Sequence, residues 1–341
     1  MSKLGCGQSS GRLGGFRKSV VAGCVFMALA AGFESPVLAQ TTASTQGAIY
    51  RELDAAGSSE AKALRASSLI AANAYTVNSV VKVALASGVS PTQIVSNVLL
   101  ANPGSSNAIL VSLAAQTNTL REAQALLASI SSGAPVYSLS GLQALITTKP
   151  VWAASLSEQL LAAGGNSRIA VAASSFVAVA SSAGAQAPAQ IAALMNNFIA
   201  GNRDNALPIG TLALLASPDS AVSILQVGIP ILGKDSVQAK TLVCLAARVT
   251  NGDPAVTSAA NLLGVKADQV NCEVPEELAT EVAQAQARQA ALGPELALVE
   301  AENQTDTAAI GPGGVPGAVN PGVGSNAPID PNLVSGGTGG L

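Results

Sequence analysis

The chain is 341 residues long, with 17 basic and 20 acidic residues, 3% aromatics and no histidine. The missing imidazole excludes Ser-His-Asp and Cys-His catalysis, histidine-ligated zinc and histidine pH switching. Charged residues are only 11% of the chain, against roughly 25% in an ordinary soluble domain, and no basic excess suits a nucleic-acid or anionic-membrane partner.

The first forty residues read as a secretory signal. Lys3, Arg12, Arg17 and Lys18 form a basic start, and Val20 to Ala31 an apolar stretch. That stretch is too short for a stable anchor, which needs roughly 20 apolar residues. The small-residue pattern Val37-Leu38-Ala39 predicts cleavage between Ala39 and Gln40. Val21-Ala22-Gly23-Cys24 resembles a lipobox, but its apolar run lies mostly after the cysteine instead of before it. An uncleaved anchor is the third option. The expected product is periplasmic or secreted, with no stable membrane anchor.

The mature part, from residue 40, carries 13 basic and 19 acidic residues, a net charge of −6. Its polar surface must come from Ser, Thr, Asn and Gln. Weak charge means weak repulsion between copies, which favours self-association. No aromatic residue follows Phe198, so stacking platforms for sugars or single-stranded nucleic acid are not expected.

Gly and Pro punctuate a run of predicted helices. They fall at 45–56, 59–74, 76–87, 91–101, 106–116, 119–131, 139–147, 150–163, 167–182, 188–200, 209–216, 218–227, 236–250, 254–263, 266–271, 275–292 and 294–302. Ser90-Pro91, Ser217-Pro218 and Asp253-Pro254 match the pattern of a polar cap followed by proline at the first helical position. Ile94, Val95, Val98 and Leu99 share one helical face, as do Leu156, Leu160 and Leu161, and Leu242, Leu245 and Val249. Strand signals are weak. The fold class is therefore all-α: an irregular bundle or a degenerate α-solenoid of short, Ala-rich helix pairs. Residues 88–116 read as one such pair and 251–272 as another, but the proline spacing shows no fixed period. The helical domain spans 40–303, with a potential division into 40–205 and 206–303.

Residues 169–200 carry no charge. Gly184 and Pro188 interrupt them and Ser and Asn recur, which argues against a membrane span.

Cys6 and Cys24 lie in the signal segment, leaving Cys244 and Cys272. An even pair in an exported chain predicts a disulfide. The loop it closes, about 29 residues, corresponds to about 3–4 kcal/mol in the chain-entropy model. The alternative is two buried thiols.

From Asp268 to the end there are ten acidic residues and Arg288 as the single basic one. Leu278, Val282, Ala285, Leu292, Leu296 and Val299 recur at helical spacing. Such a stripe docks on the protein's own core or, less simply, pairs as a coiled coil. Gln289 interrupts it, and Gly293-Pro294 is expected to end the helix. Residues 304–341 read as a disordered Gly/Pro-rich tail.

Few motifs carry chemistry. Ser59-Glu60-Ala61-Lys62 and Ser79-Val80-Val81-Lys82 match the Ser-x-x-Lys spacing of acyl-transfer enzymes, without their Lys-Thr-Gly and Ser-Asp-Asn companions. The Gly-rich 311–317 lacks the strand and helix that a phosphate loop needs. Glu273, Glu276, Glu277 and Glu281 cluster, with a solvated first helical turn as the plain reading and a weak calcium site as the other. No catalytic residue, cofactor or metal is expected. The expected function is an exported, non-enzymatic structural or interaction protein of the envelope or exterior, with self-association favoured, whose partner is protein: another copy or a second envelope protein. The alternatives are a periplasmic helical-repeat adaptor for a peptide or protein and, remotely, a Ser/Lys acyl-transfer enzyme. Mass spectrometry of the exported protein should find Gln40 as the first residue; a product retaining residues 1–39 counts against the signal reading.

Overall fold

A computed structural model describes residues 36–200, 203–266 and 272–308. Among them there are fifteen α-helices and no strand. They are α1 (Pro36–Asp54), α2 (Ser59–Ala71), α3 (Val77–Ala86), α4 (Pro91–Ile94, continued by a π-helical turn Val95–Leu99) and α5 (Ser106–Ala115). Then come α6 (Leu120–Gly133), α7 (Ser138–Thr148), α8 (Ala153–Ala163), α9 (Arg168–Ser182) and α10 (Ala187–Ile199). The last five are α11 (Ala206–Ala216), α12 (Ala221–Leu232), α13 (Val237–Val249), α14 (Pro254–Leu262) and α15 (Glu276–Ala308).

Two kinds of corner join most of them. In the first, a polar side chain caps the next helix. Ser58, Thr76, Ser90, Thr119, Ser167, Ser236 and Asp253 each accept a backbone N–H from the first turn, satisfying a donor that has no partner within the helix. Ser90 with Gln93 and Thr119 with Glu122 complete reciprocal capping boxes.

In the second kind, a residue before proline leaves the helix. Ala134, Lys149 and Ser217 take φ of −144°, −140° and −144° with ψ of 61°, 79° and 78°. The proline ring disfavours the helical region for its predecessor. Each of these residues still donates its N–H four residues back, and each accepts one from three residues ahead. A single 3-10 turn then starts the following helix. This corrects two expected boundaries. Pro150 and Pro218 open 3-10 turns, and the α-helices begin at Ala153 and Ala221. Ser217 does not cap through its side chain; its hydroxyl lies 2.7 Å from that of Ser220.

The helices stack in two layers. Each odd-numbered helix from α1 to α13 packs on the next odd one, and each even-numbered helix from α2 to α14 on the next even one. This neighbour pattern is that of stacked helix pairs with unequal helix lengths, the degenerate form of an α-solenoid. The buried apolar cluster runs from Ile49 to Val299. There is no break in it at 205–206, because α9 packs directly on α11.

The uncharged stretch has a packing explanation. Residues Ala170 to Val179 of α9 are all buried, with α7 and α11 beside them, α8 and α10 in the other layer, and α15 also against them. A helix enclosed on every side has no polar face. Among the described residues no helix is long and apolar enough to cross a membrane.

Small residues set the spacing between helices. A Cβ at Gly228 would lie 2.5 Å from Leu242 Cδ2 and 3.0 Å from Met195 Cε, and one at Gly141 would lie 2.8 Å from Ile130 Cδ1. Phe176 and Phe198 meet edge to face, with centroids 5.7 Å apart.

Three further expectations change. The first helix begins at Pro36, ahead of the anticipated 45, and so runs through the Ala39–Gln40 position. The helices expected at 275–292 and 294–302 are one helix, and α15 carries on to Ala308, into the segment assigned to the tail. Gly293 and Pro294 sit on its exposed side. Proline removes a bond to the Ala290 carbonyl, but Leu292 and Val299 are buried on either side and hold the helix in place. The helix expected at 266–271, the signal segment before residue 36 and the tail after 308 lie outside the described residues.

Gly228→Val should lower stability by about 1–3 kcal/mol through overpacking against Leu242 and Met195. Gly47→Ala, with nothing within 4 Å of the added atom, should raise it by about 0.5–1 kcal/mol. Urea unfolding of the two variants checks both signs.

Candidate functional site

The feature that organises one side of the molecule is α15. Its 33 residues extend about 50 Å at the α-helical rise. It lies across the odd-numbered layer, touching α11, α9, α7, α5 and α1. Leu278, Val282, Ala285, Leu292 and Val299 are buried in the contact, and Leu296 packs at its edge. The stripe thus docks on the protein's own core, the first of the two readings given for it.

The layer beneath offers polar side chains, roughly one set per helix. Gln143 on α7 donates its Nε2 hydrogen to the Ala285 carbonyl at 2.9 Å. Thr147, one turn on, bonds Gln289, whose Nε2 donates to Thr147 Oγ1 at 3.0 Å. Gln289 interrupts the apolar stripe because it faces this hydroxyl. Asn107 on α5 donates to the Ala291 carbonyl at 3.3 Å. Arg288 donates to Ser174 Oγ on α9 at 3.1 Å, and Asn78 on α3 donates to Glu302 Oε2 at 2.7 Å. The sequence of partners, α7 and α9 first, α5 next and α3 last, shows that α15 runs back along the stack towards its start.

The contact leaves several groups unpaired. Asn78 Oδ1, Gln143 Oε1 and Arg288 Nε are buried without a hydrogen-bond partner. Each such group costs about 1–3 kcal/mol. Burial pushes the Arg288 guanidinium below its ordinary pKa, with the Glu281 charge opposing the shift.

The beginning of α15 is stapled. Cys272, four residues before the helix, is disulfide-bonded to Cys244 on α13, with Cα atoms 5.8 Å apart. Arg248 of α13 also donates to the Cys272 carbonyl at 3.1 Å. Cysteines 28 apart in sequence meet because α13 lies beside the place where α15 starts. A disulfide of this kind is a hint of an oxidising environment.

The Ser-x-x-Lys serine at position 59 is engaged elsewhere. Ser59 Oγ lies 2.6 Å from Gln93 Oε1 and 3.0 Å from the Gly88 carbonyl. Lys62 pairs with Asp54 at 3.1 Å and reaches the Ser87 carbonyl. Both side chains tie α2 to its neighbours. Ser79 stands in the first turn of α3, where its N–H meets the Thr76 cap at 3.3 Å. Glu273, Glu276 and Glu277 are exposed at the head of α15 and Glu281 is half-buried. Among the described residues no three His, Cys, Asp or Glu are arranged to hold a metal. The Gly-rich 311–317 lies outside the described residues.

Two other clusters are structural. Glu52 accepts from Arg65 and from the Tyr75 hydroxyl, and these bonds hold its carboxyl below the usual range while raising the Tyr75 phenol. A small cleft is lined by Glu158, Leu161, Arg168, Asn197, Phe198 and Ala200. There Arg168 donates to the Phe198 carbonyl at 3.0 Å, satisfying an acceptor left open at the end of α10.

No protein-family model, curated protein or solved structure matches the chain. The fold defines an all-helical protein of stacked pairs with one long helix across a layer. Sequence reasoning found the apolar stripe of α15 but not its polar partners. Polar residues on α3, α5, α7 and α9 are a signal only once the layering is known.

Replacing both Cys244 and Cys272 by serine should cost about 3–4 kcal/mol of unfolding free energy, the chain-entropy value for this loop. Unchanged urea unfolding midpoints, compared with the oxidised parent, would contradict a stapling role.

Proposed function

We propose that this chain is an exported, non-enzymatic protein-interaction scaffold of the periplasm or the cell exterior. The face of its odd-numbered layer is the surface that binds protein. The observation that carries this reading is α15 itself: a 33-residue amphipathic helix lies along that face, so the face has the length and chemistry to accept one. Recognition of a helix by an apolar stripe flanked with polar anchors is a recurring mode of protein binding. The signal-like start and the Cys244–Cys272 disulfide support export.

Cell fractionation combined with photo-crosslinking from Asn107 and Thr147 on this face, and from Glu158 on α8 as a comparison, tests the proposal. Exported protein with a discrete crosslinked product from the face positions alone is the expected result. Cytosolic protein, or crosslinks that do not depend on position, overturns it.

A second reading, a self-associating structural protein, is favoured by the low charge of the chain. Light scattering of the mature protein at high concentration separates the two, since a strict monomer contradicts self-association. Covalent labelling of Ser59 or Ser79 by fluorophosphonate or penicillin-type probes would replace both with an acyl-transfer enzyme.

A further inference from the structure

The small cleft at the ends of α8 and α10 combines an apolar lining with two opposite charges. Leu161 and Phe198 line it, Glu158 stands on α8, Arg168 on α9 and Asn197 on α10. Its volume is about 230 Å³, below the roughly 300–1,000 Å³ of a site for drug-sized ligands. An occupant of this cleft therefore has few heavy atoms.

The two charges are held apart. Among the described residues no ion pair joins Glu158 to Arg168. The Arg168 bond that closes the end of α10 accounts for this, since Nη1 donates to the Phe198 carbonyl at 3.0 Å and ties the guanidinium there. Phe198 is 2% exposed and packed edge to face on Phe176, so the tie is to a rigid point. A long side chain fixed in advance loses less freedom when it binds. The helix ends reinforce both charges. α8 and α10 finish at the cleft, and the partial negative charge of their C-terminal ends adds to that of Glu158. α9 begins there with Arg168, so its positive end adds to the guanidinium.

Opposite charges kept separate beside an apolar lining call for a ligand of matching pattern. A cation alone would face Arg168, and an anion alone would face Glu158. A small zwitterion meets both with the favourable sign. We propose that this cleft binds a free α-amino acid with an apolar side chain. Its carboxylate pairs with Arg168 in a charge-assisted bond. Its ammonium faces Glu158 and the helix ends, and its side chain rests on Leu161. Asn197 adds an uncharged hydrogen-bonding group. The cleft is small and open, so the affinity is modest, with a Kd of about 0.1–1 mM. The site shares no residue with the face under α15. It goes beyond the scaffold reading and is tested apart from it.

Isothermal titration of the full exported chain with three probes tests the proposal: L-leucine, L-leucinamide and N-acetyl-L-leucine. The work is done below neutral pH, where the amine of leucinamide is charged. Leucinamide keeps the ammonium alone, and N-acetyl-leucine keeps the carboxylate alone. Leucine is expected to bind, and each analogue to bind at least about tenfold more weakly, having lost one charge-assisted contact. Glu158→Gln alters an exposed side chain and keeps its shape. It should weaken leucine about tenfold and leave N-acetyl-leucine no weaker than in the parent. Three results overturn the proposal: no leucine binding at about 10 mM, well above the expected Kd; equal affinity for all three probes; or leucine binding by E158Q that matches the parent. Photo-crosslinking from Asn107 or Thr147 reads the scaffold proposal separately from any of these.

Discussion

Close approach between helices is the constraint on which this structure depends. The chain has few aromatic residues to fill space, so burial must come from many short contacts instead of a few large ones. Dispersion between closely packed atoms is small for each pair and large in sum, provided that no gap is left. Glycines at 141, 210 and 228 let Ile130, Leu242 and Met195 reach the backbone of the neighbouring helix. Alanine and serine do the same along α9, where ten residues in succession are buried. The helices can then be short, because each is held by its neighbours and not by its own propensity.

That packing leaves little room for charge in the interior, and the few polar groups that are buried are consequential. Most are satisfied locally. The Ser157 and Ser175 hydroxyls lie 2.7 Å apart, and each is also within hydrogen-bonding distance of a carbonyl of its own helix. The groups under α15 are different, since they depend on a helix more than a hundred residues away in sequence. An interface so constituted is specific, because the polar pairs fix its register. It is also less stable than an apolar one of equal area.

Local structure was largely legible in the sequence. Ser90, Asp253 and their prolines mark helix starts because capping involves neighbours within one turn. Ile94, Val95, Val98, Leu99, Leu156, Leu160, Leu242 and Leu245 are buried as their spacing indicates. The pairing of Cys244 with Cys272 followed from their number and the absence of other partners. The misread positions have two causes. Pro294 was taken as an end to the helix, but burial of Leu292 and Val299 outweighs one lost hydrogen bond. Pro218 was taken as the first α-helical residue, but the residue before it turns the chain through a 3-10 step.

What the sequence by itself determined is therefore a series of helices, their caps and one covalent cross-link, all of which follow from residues close in the chain or from chemistry that only two residues share. The tertiary structure decided the order of packing: odd-numbered helices against odd, even against even, and α15 laid back across the first set. Helical periodicity tells which side of a helix is apolar, but every apolar stripe here is chemically alike, built of Ala, Val, Leu and Ile. Such stripes do not name their partners. The choice among them is made by fit, through the glycines that admit particular side chains and the polar residues that meet only when the layers are assembled.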